Sequence, residues 1–458
     1  MSRKIDRRSF IAGAGAAGVL GLAGCVGNPS GGGTETTTSG GGTETSGEGT
    51  TAGGMGGGAP EMLVVIGYPQ SGIQLFRDYY SMTGGNEQDV LVPDGLQDAT
   101  LPGQVGNDMA NVTGTAPAAG GPNQDAFNGL YRDQYGSAPG VFTSQSYDSV
   151  ALLILANAAA GENSGTSIRD QMRRIANPSG TQYGPQNFLD AVQAAANGDD
   201  INYQGASSTT NFDEAGDPAS AAYQIWQFKG QGADDVEAVE KQNFKSKNPE
   251  GAGPSADSAP GGMGREISVG ILLPETGDLA SVGGPMINAA QLPVKQVNDS
   301  DLDLSVNAQV EDSQTSPSAG VSAAQSLASA GVPAVCGSAS SGVNIPVSKQ
   351  VFIPNQMVGC SPSSTALSVT NLEDDDYIFR TAPSDFLQGR VMAQVASERL
   401  GNSSAATLYV NNDYGQQLSQ RFTEVFQNQF GGEVVHQVGF NKGASSYTSA
   451  LETALAGK

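Results

Sequence analysis

The sequence predicts an α/β fold of two doubly wound, Rossmann-like lobes joined by a hinge. Three observations point to it. Glu266–Gly284 (EISVGILLPETGDLASVGG) reads as a buried parallel strand carrying Ile267, Val269, Ile271 and Leu272. A Pro/Gly-rich turn follows, then a helix from about Pro285. That is the opening unit of a doubly wound domain, where ligands collect at strand C-terminal ends. A regular strand–helix rhythm then runs from Arg265 to the end of the chain. Finally, the last helix, Tyr447–Leu455, has no strand after it to feed. Met62–Gly67 (MLVVIG), a continuous apolar run near the front, has the character of that strand. The expected order is therefore permuted, with the fold's second half moved ahead of its first strand.

From Glu61 the elements read as follows. After Met62–Gly67, Gly67-Tyr68-Pro69 turns the chain into a helix at Ile73–Ser81, and Val90–Val92 is a strand ending at Pro93-Asp94-Gly95. Asn111–Gly114 opens a looser segment. Asn123–Tyr135, Ser146–Ala160, Ile168–Ile175 and Asn187–Ala196 carry helical patterns, the second strongly apolar. Phe212–Asp217 is a turn, and Ala222–Phe228 alternates as a strand should. Residues 241–265 (KQNFKSKNPEGAGPSADSAPGGMGR) have linker composition. Beyond them the strands are Leu302–Val310, Ala334–Cys336, Gln356–Gly359, Tyr377–Arg380, Ala406–Val410 and Glu433–Phe440. The helices are Pro317–Ala330, Asp385–Leu400 and Gly415–Phe430.

The chain has 458 residues, enough for two domains with sizeable cores. Its 46 acidic and 22 basic residues give a net charge of −24, which argues against a nucleic-acid partner. Scarce Lys beside abundant Gly, Ala, Ser and Asp resembles the bias of haloarchaeal proteins, whose acidic surfaces stay soluble in high salt. Of the three cysteines, Cys336 and Cys360 read as two small buried thiols, with pairing left open.

Residues 1–25 (MSRKIDRRSFIAGAGAAGVLGLAGC) carry Arg7-Arg8, an apolar run too short for a stable span, and Leu22-Ala23-Gly24-Cys25. They resemble a twin-arginine signal joined to a lipobox. The resemblance implies export in the folded state, cleavage before Cys25 and a lipid on its thiol, anchoring the protein to the outer face of the plasma membrane. Residues 26–60, almost all Gly, Ser, Thr and Glu, read as a flexible tether.

Several segments match known proteins together: GILLPETGDLASVGGPMINAAQLPVKQVN, VCGSASSGVNIPVS, MVGCSPSST, YIFRTAPSDFLQGRVMAQ, ATLYVNNDYGQQLSQRFTEVF, VVIGYPQSG and YDSVALLILANA. Read from Glu266 to Lys458 and then from Pro60 to about Phe244, the chain resembles the leucine/isoleucine/valine-binding proteins. These are periplasmic-binding proteins of type I that serve branched-chain amino-acid ABC transporters. The order departs from the family's as a circular permutation; a fused gene or strand exchange between two chains is the alternative. The resemblance implies that 266–382 and 143–212 form lobe 1 and that 383–458 and 61–142 form lobe 2. Residues 213–240 are then the hinge and a late strand, and 241–265 span the old termini.

A free amino acid needs hydroxyl and backbone N–H donors at its carboxylate end and a carboxylate at its ammonium end. Gly337-Ser338-Ala339-Ser340-Ser341-Gly342 and Ser361-Pro362-Ser363-Ser364-Thr365 are hydroxyl-rich turns after strands, which alone would also suit helix caps. The resemblance assigns the ligand carboxylate to the hydroxyls of Ser341 and Thr365 and the backbone of Ala339 and Ser363. It assigns the ammonium to Asp94 and the second-lobe wall to Tyr414 and Tyr68. Val282 stands where many relatives carry an aromatic residue, so pocket size is left open. The lone His436 fits a surface or core position, Glu373–Asp376 reads as a solvated acidic loop, and neither a G-x-S-x-G elbow nor a P-loop is present. The expectation is a binding protein with no catalytic residues, metal or cofactor, whose partners are a small amino acid and ABC permease subunits. A sensory domain of the same fold, or a binder of amides or small carboxylates, is the alternative.

Overall fold

The computed structural model describes residues 58–85, 87–230, 236–245 and 249–457. The twin-arginine and lipobox region with Cys25, the tether up to residue 57, and Lys458 lie outside the described residues. No helix among the described residues is long and apolar enough to cross a membrane.

Fourteen strands are described: β1 Met62–Ile66, β2 Asp89–Val92, β3 Val112–Ala118, β4 Thr181–Tyr183, β5 Ile201–Tyr203, β6 Ser220–Phe228, β7 Val236–Lys245, β8 Arg265–Leu273, β9 Leu304–Asp312, β10 Ala334–Gly337, β11 Val358–Ser361, β12 Ile378–Arg380, β13 Ser404–Val410 and β14 Glu433–Phe440. They build a seven-stranded sheet in the order β14-β13-β1-β2-β3-β6-β7, a five-stranded sheet in the order β12-β11-β10-β8-β9, and a small β4-β5 pair. The five-stranded sheet is parallel throughout. In the larger sheet β14 through β3 run parallel, and β6 and β7 return antiparallel at one edge. Helices cover both sheets, as parallel strands buried on two faces require.

β1 pairs in parallel with β13, Met62 opposite Ala405 and Ile66 opposite Tyr409. A strand from the front of the folded chain thus sits between β2 and two strands, β13 and β14, from its end. The last helix, Thr448–Leu455, packs on β13, β14 and helix Pro69–Thr83. All five residues of β1 are buried, which is why it reads as a continuous apolar run.

Helix Thr143–Ala160 lies buried along all of its 18 residues. It is enclosed by β8, β10 and β11 and by helices Gly165–Ala176, Phe188–Ala196 and Ala280–Asn298. A helix covered on every side needs no polar stripe, and VALLILANAAA has none.

Three connections between the two sheets run side by side. β3 leaves through residues 119–123, residues 206–219 lead back into β6, and β12 passes through residues 381–384 into helix Asp385–Gln394. They are cross-linked: Gly120 N donates to Ser207 O (2.8 Å) and Arg380 N to Gly216 O (3.1 Å). The buried Arg380 guanidinium grips both carboxylate oxygens of Asp217 at 2.5 and 2.7 Å.

Several features differ from the sequence reading, among them the short parallel strands β4 and β5 in a stretch read as helical. Asn111–Gly114 opens a fully buried strand, not a looser segment. Val236–Lys245 is an edge strand that reaches five residues into the stretch read as linker. Residues 249–264 are held to the protein by several bonds, among them Ala252 N to Phe212 O (3.1 Å) and Gly261 N to Ala159 O (2.8 Å). The acidic loop is partly structural, because Asp376 pairs with buried Arg173 at 2.6 Å and Asp374 is buried. Cys336 and Cys360 face each other in register on β10 and β11 as free, buried thiols. His436 lies on β14, its Nε2 3.1 Å from Ala456 O.

Candidate functional site

The C-terminal ends of the parallel strands of both sheets face one small cavity of about 30 Å³. From the seven-stranded side it is lined by Tyr68 after β1, Asp94 and Gly95 after β2, and Tyr414 after β13. From the five-stranded side come Pro274, Leu279, Val282 and Met286 after β8, Ala339, Ser340 and Ser341 after β10, and Ser363 after β11. Phe142, at the start of the buried helix, closes the lining. The cavity has room for a water or two, well below the ~300–1,000 Å³ of small-molecule pockets, so the walls must part to admit a solute. A wider cleft lined by Gln97, Gln124, Asn128, Gln145 and Gln224 shares only Phe142 with it. It contains none of the residues singled out from the sequence.

Six of the seven candidate ligand residues therefore line one cavity: Tyr68, Asp94, Ala339, Ser341, Ser363 and Tyr414. Thr365 does not. It is fully buried, and its hydroxyl lies beside the Asp385 carboxylate without completing a hydrogen bond of good geometry.

The two hydroxyl-rich turns are stapled together. Ser338 O accepts from Ser361 Oγ (2.7 Å) and Ser364 Oγ (2.8 Å), and Ala339 O accepts from Ser363 Oγ (3.2 Å) and Ser364 Oγ (3.0 Å). Ser341 Oγ accepts from Ala366 N at 3.2 Å. These hydroxyl-to-carbonyl and amide-to-hydroxyl bonds fix the turns as a single rigid unit.

On the opposite wall Asp94 opens a short 3₁₀ turn, Asp94–Leu96. Its Oδ1 accepts from Gln388 Nε2 (2.5 Å) and from Tyr414 Oη (3.4 Å). Burial outweighs these donors and pushes the carboxyl up to about 6. Gly95 is required here: a Cβ would meet Gly67 O at 2.4 Å and Tyr414 Oη at 3.0 Å. The Tyr68 and Tyr414 rings stack at 5.7 Å with 12° between their planes. Burial raises both phenols, so they stay neutral donors.

The two walls also touch directly. Tyr68 Oη is 2.9 Å from Ser340 Oγ and accepts from Asn412 Nδ2 at 2.9 Å. Ser71 donates to Asp278, Lys442 Nζ to Thr315 O, and Ser368 N to Gln417 Oε1 (2.8 Å). This is a cleft with its rims joined.

Sequence reasoning missed Ser340, Phe142, Gln388 and Asp385. Ser340 sat inside a turn already singled out. Phe142 carries a positive φ of 60°, which places it by backbone conformation and leaves no pattern to read. Gln388 and Asp385 look like ordinary first-turn residues of a helix.

Residues 266–458 match the family described as periplasmic binding protein, a family of solute binders and not of enzymes. No curated protein matches the chain. Among solved structures it is similar to a leucine-binding protein, LivK, of Thermotoga maritima, at 22% identity and a TM-score of 0.38 over 41% of this chain and 53% of that one. It is similar to the branched-chain amino acid transporter substrate-binding protein LivJ of Streptococcus pneumoniae, at 26% identity and 0.37 over 41% and 53%. A solute-binding protein of Rhodopseudomonas palustris in complex with 3,4-dihydroxybenzoic acid matches at 22% identity and 0.35 over 38% and 47%. The match spans about half the length of each of these structures.

Proposed function

We propose that this chain is the solute-binding component of an ABC importer that closes two lobes on a branched-chain or related amino acid. The observation that carries the reading is the meeting of Asp94 with Ala339, Ser341 and Ser363 around one cavity at the strand ends of both sheets. One wall offers a carboxylate for an ammonium group. The other offers hydroxyls and turn backbone for a carboxylate. Between them Leu279, Val282, Met286 and Phe142 offer apolar surface to a side chain. The protein does no chemistry; it holds the solute and hands it to permease subunits. A lipid on Cys25 holds it outside the cell, and residues 26–60 act as its tether. The chain order is a circular permutation of the family's, with the break inside lobe 2.

Closure follows the solute only if the closed form binds it better than the open form. Asp94→Ala and Ser341→Ala should each weaken binding of the preferred amino acid more than tenfold by calorimetry. Unchanged affinity in both would remove this site. A thermal-shift screen of amino acids in high salt identifies the solute, since a ligand specific to the native state raises the melting point.

A further inference from the structure

The wide cleft beside the inner cavity encloses about 720 Å³, within the ~300–1,000 Å³ of small-molecule sites. β6 and the turn after β2 form one side of it. Helix Gln124–Tyr135 and the start of helix Thr143–Ala160 form the other. Its lining is polar and carries no acid: among the described residues no Asp or Glu lines it, in a chain that has 46 of them. The one charged side chain in that lining is Arg132. Gln124, Asn128 and Arg132 follow one another at four-residue spacing, so they make one ridge along the cleft face of their helix. A second cation stands beside the ridge, because Lys241 Nζ donates to Gln124 Oε1 at 3.4 Å. Across from it Gln224 Nε2 donates to Gln97 Oε1 at 3.3 Å.

The start of helix Thr143–Ala160 is the electropositive end of an 18-residue helix, and it lines this cleft. Most helices cap their first amides with an Asn, Asp, Ser or Thr side chain. Here the N-cap is Phe142, which has no acceptor to offer. Thr143 N reaches Gly140 O at 3.4 Å and Ser146 N reaches Phe142 O at 2.9 Å. Between them the amides of Ser144 and Gln145 donate to no described residue. The Gln145 side chain adds a third donor. Its residue is 2% exposed and lines the cleft. Gln145 Oε1 accepts from Ser144 Oγ at 2.9 Å, which leaves Nε2 without a partner among the described residues. Donors withdrawn from water in this way cost stability unless an acceptor reaches them.

We propose that the wide cleft is a second solute site, which takes a carboxylate bearing hydroxyl or amide groups. The carboxylate accepts from Ser144 N, Gln145 N and Gln145 Nε2, and Arg132 supplies the positive charge of the cleft. The carboxamides of Gln97, Gln124, Asn128 and Gln224 both donate to and accept from the polar body of the solute. This site shares only Phe142 with the cavity at Asp94, so it stands whether or not an amino acid binds there.

Calorimetry on the full chain tests it with three probes at fixed NaCl. These are D-gluconate, N-acetylglycine, and D-glucitol as the polyol without a carboxylate. The wild type should bind gluconate or N-acetylglycine and ignore glucitol. Gln145→Leu and Arg132→Gln should each weaken that binding at least tenfold, whereas Asp94→Ala leaves it within twofold. Arg132 is exposed and its side chain bonds to no described residue, so Arg132→Gln decides the matter if Gln145→Leu does not fold. In amide NMR spectra of labelled protein, the Ser144 and Gln145 signals should move with the bound carboxylate. Binding lost in Asp94→Ala and kept in the other two variants would put the probe in the inner cavity and overturn the second site. A wild type that binds neither carboxylate, or that binds glucitol as tightly as gluconate, overturns it as well.

Discussion

Asp94 is almost wholly buried, and the loss of hydration lifts its carboxyl to about 6 although Gln388 and Tyr414 donate to it. An unfolded aspartate titrates near 3.9. The folded state therefore holds this proton more tightly. The stability it contributes is whole below about pH 4 and is lost as pH climbs through 6. At about 1.36 kcal/mol per pKa unit, the loss is on the order of 3 kcal/mol. Ligand-free Asp94→Asn should accordingly melt above the wild type at pH 7 and lose the matching part of its pH dependence, while amino-acid binding collapses. Urea titrations at pH 4, 5, 6 and 7 check the sign, and a variant less stable than wild type at pH 7 contradicts it. Asp94 could be found in the sequence only through the resemblance, because a Pro-Asp-Gly turn by itself reads as an ordinary surface turn. Asp385 could not. A first-turn acid is the common choice at a helix start, and only the fold reveals that this one is sealed from water beside a second carboxylate.

Among the elements, the buried parallel strands were the legible ones, since burial on both faces writes an apolar run. β3 was not, because VTGTAPA holds a Gly and a Pro that weaken any strand reading. The structure explains both. A Cβ at Gly114 would strike the Trp226 ring at 2.0 Å, and Pro117 pairs with Tyr223 of β6 near the crossing between sheets. β7 hid for the opposite reason: its alternating charges suit an exposed edge, where they discourage pairing with another chain. The crossings depend on Arg380 and Asp217, whose side chains are 0% and 10% exposed. Removing one partner of a buried pair strands the other charge, at a cost of about 3–5 kcal/mol. Asp217→Ala should lower stability by that amount in denaturant unfolding, and a change below about 1 kcal/mol would mean the pair is not structural.

At the scale of the molecule, the proposed permutation can be tested directly. A rearranged gene placing residues 266–458 ahead of residues 60–245 should give a protein that folds and binds the same amino acid within a few fold. A rearranged protein that folds without binding, beside a native one that binds, would show that the observed order serves the cleft in some other way. The pairing of β1 with β13 joins residues 343 positions apart, Met62 and Ala405. On the ribosome, β1 emerges early and has no partner on that side until almost the whole polypeptide has been made. Contacts this distant in sequence form slowly, and an unfinished sheet leaves an apolar margin open to other nascent chains. Soluble yield should therefore rise when chaperones are co-expressed, and a yield indifferent to them would count against a slow closing of this sheet.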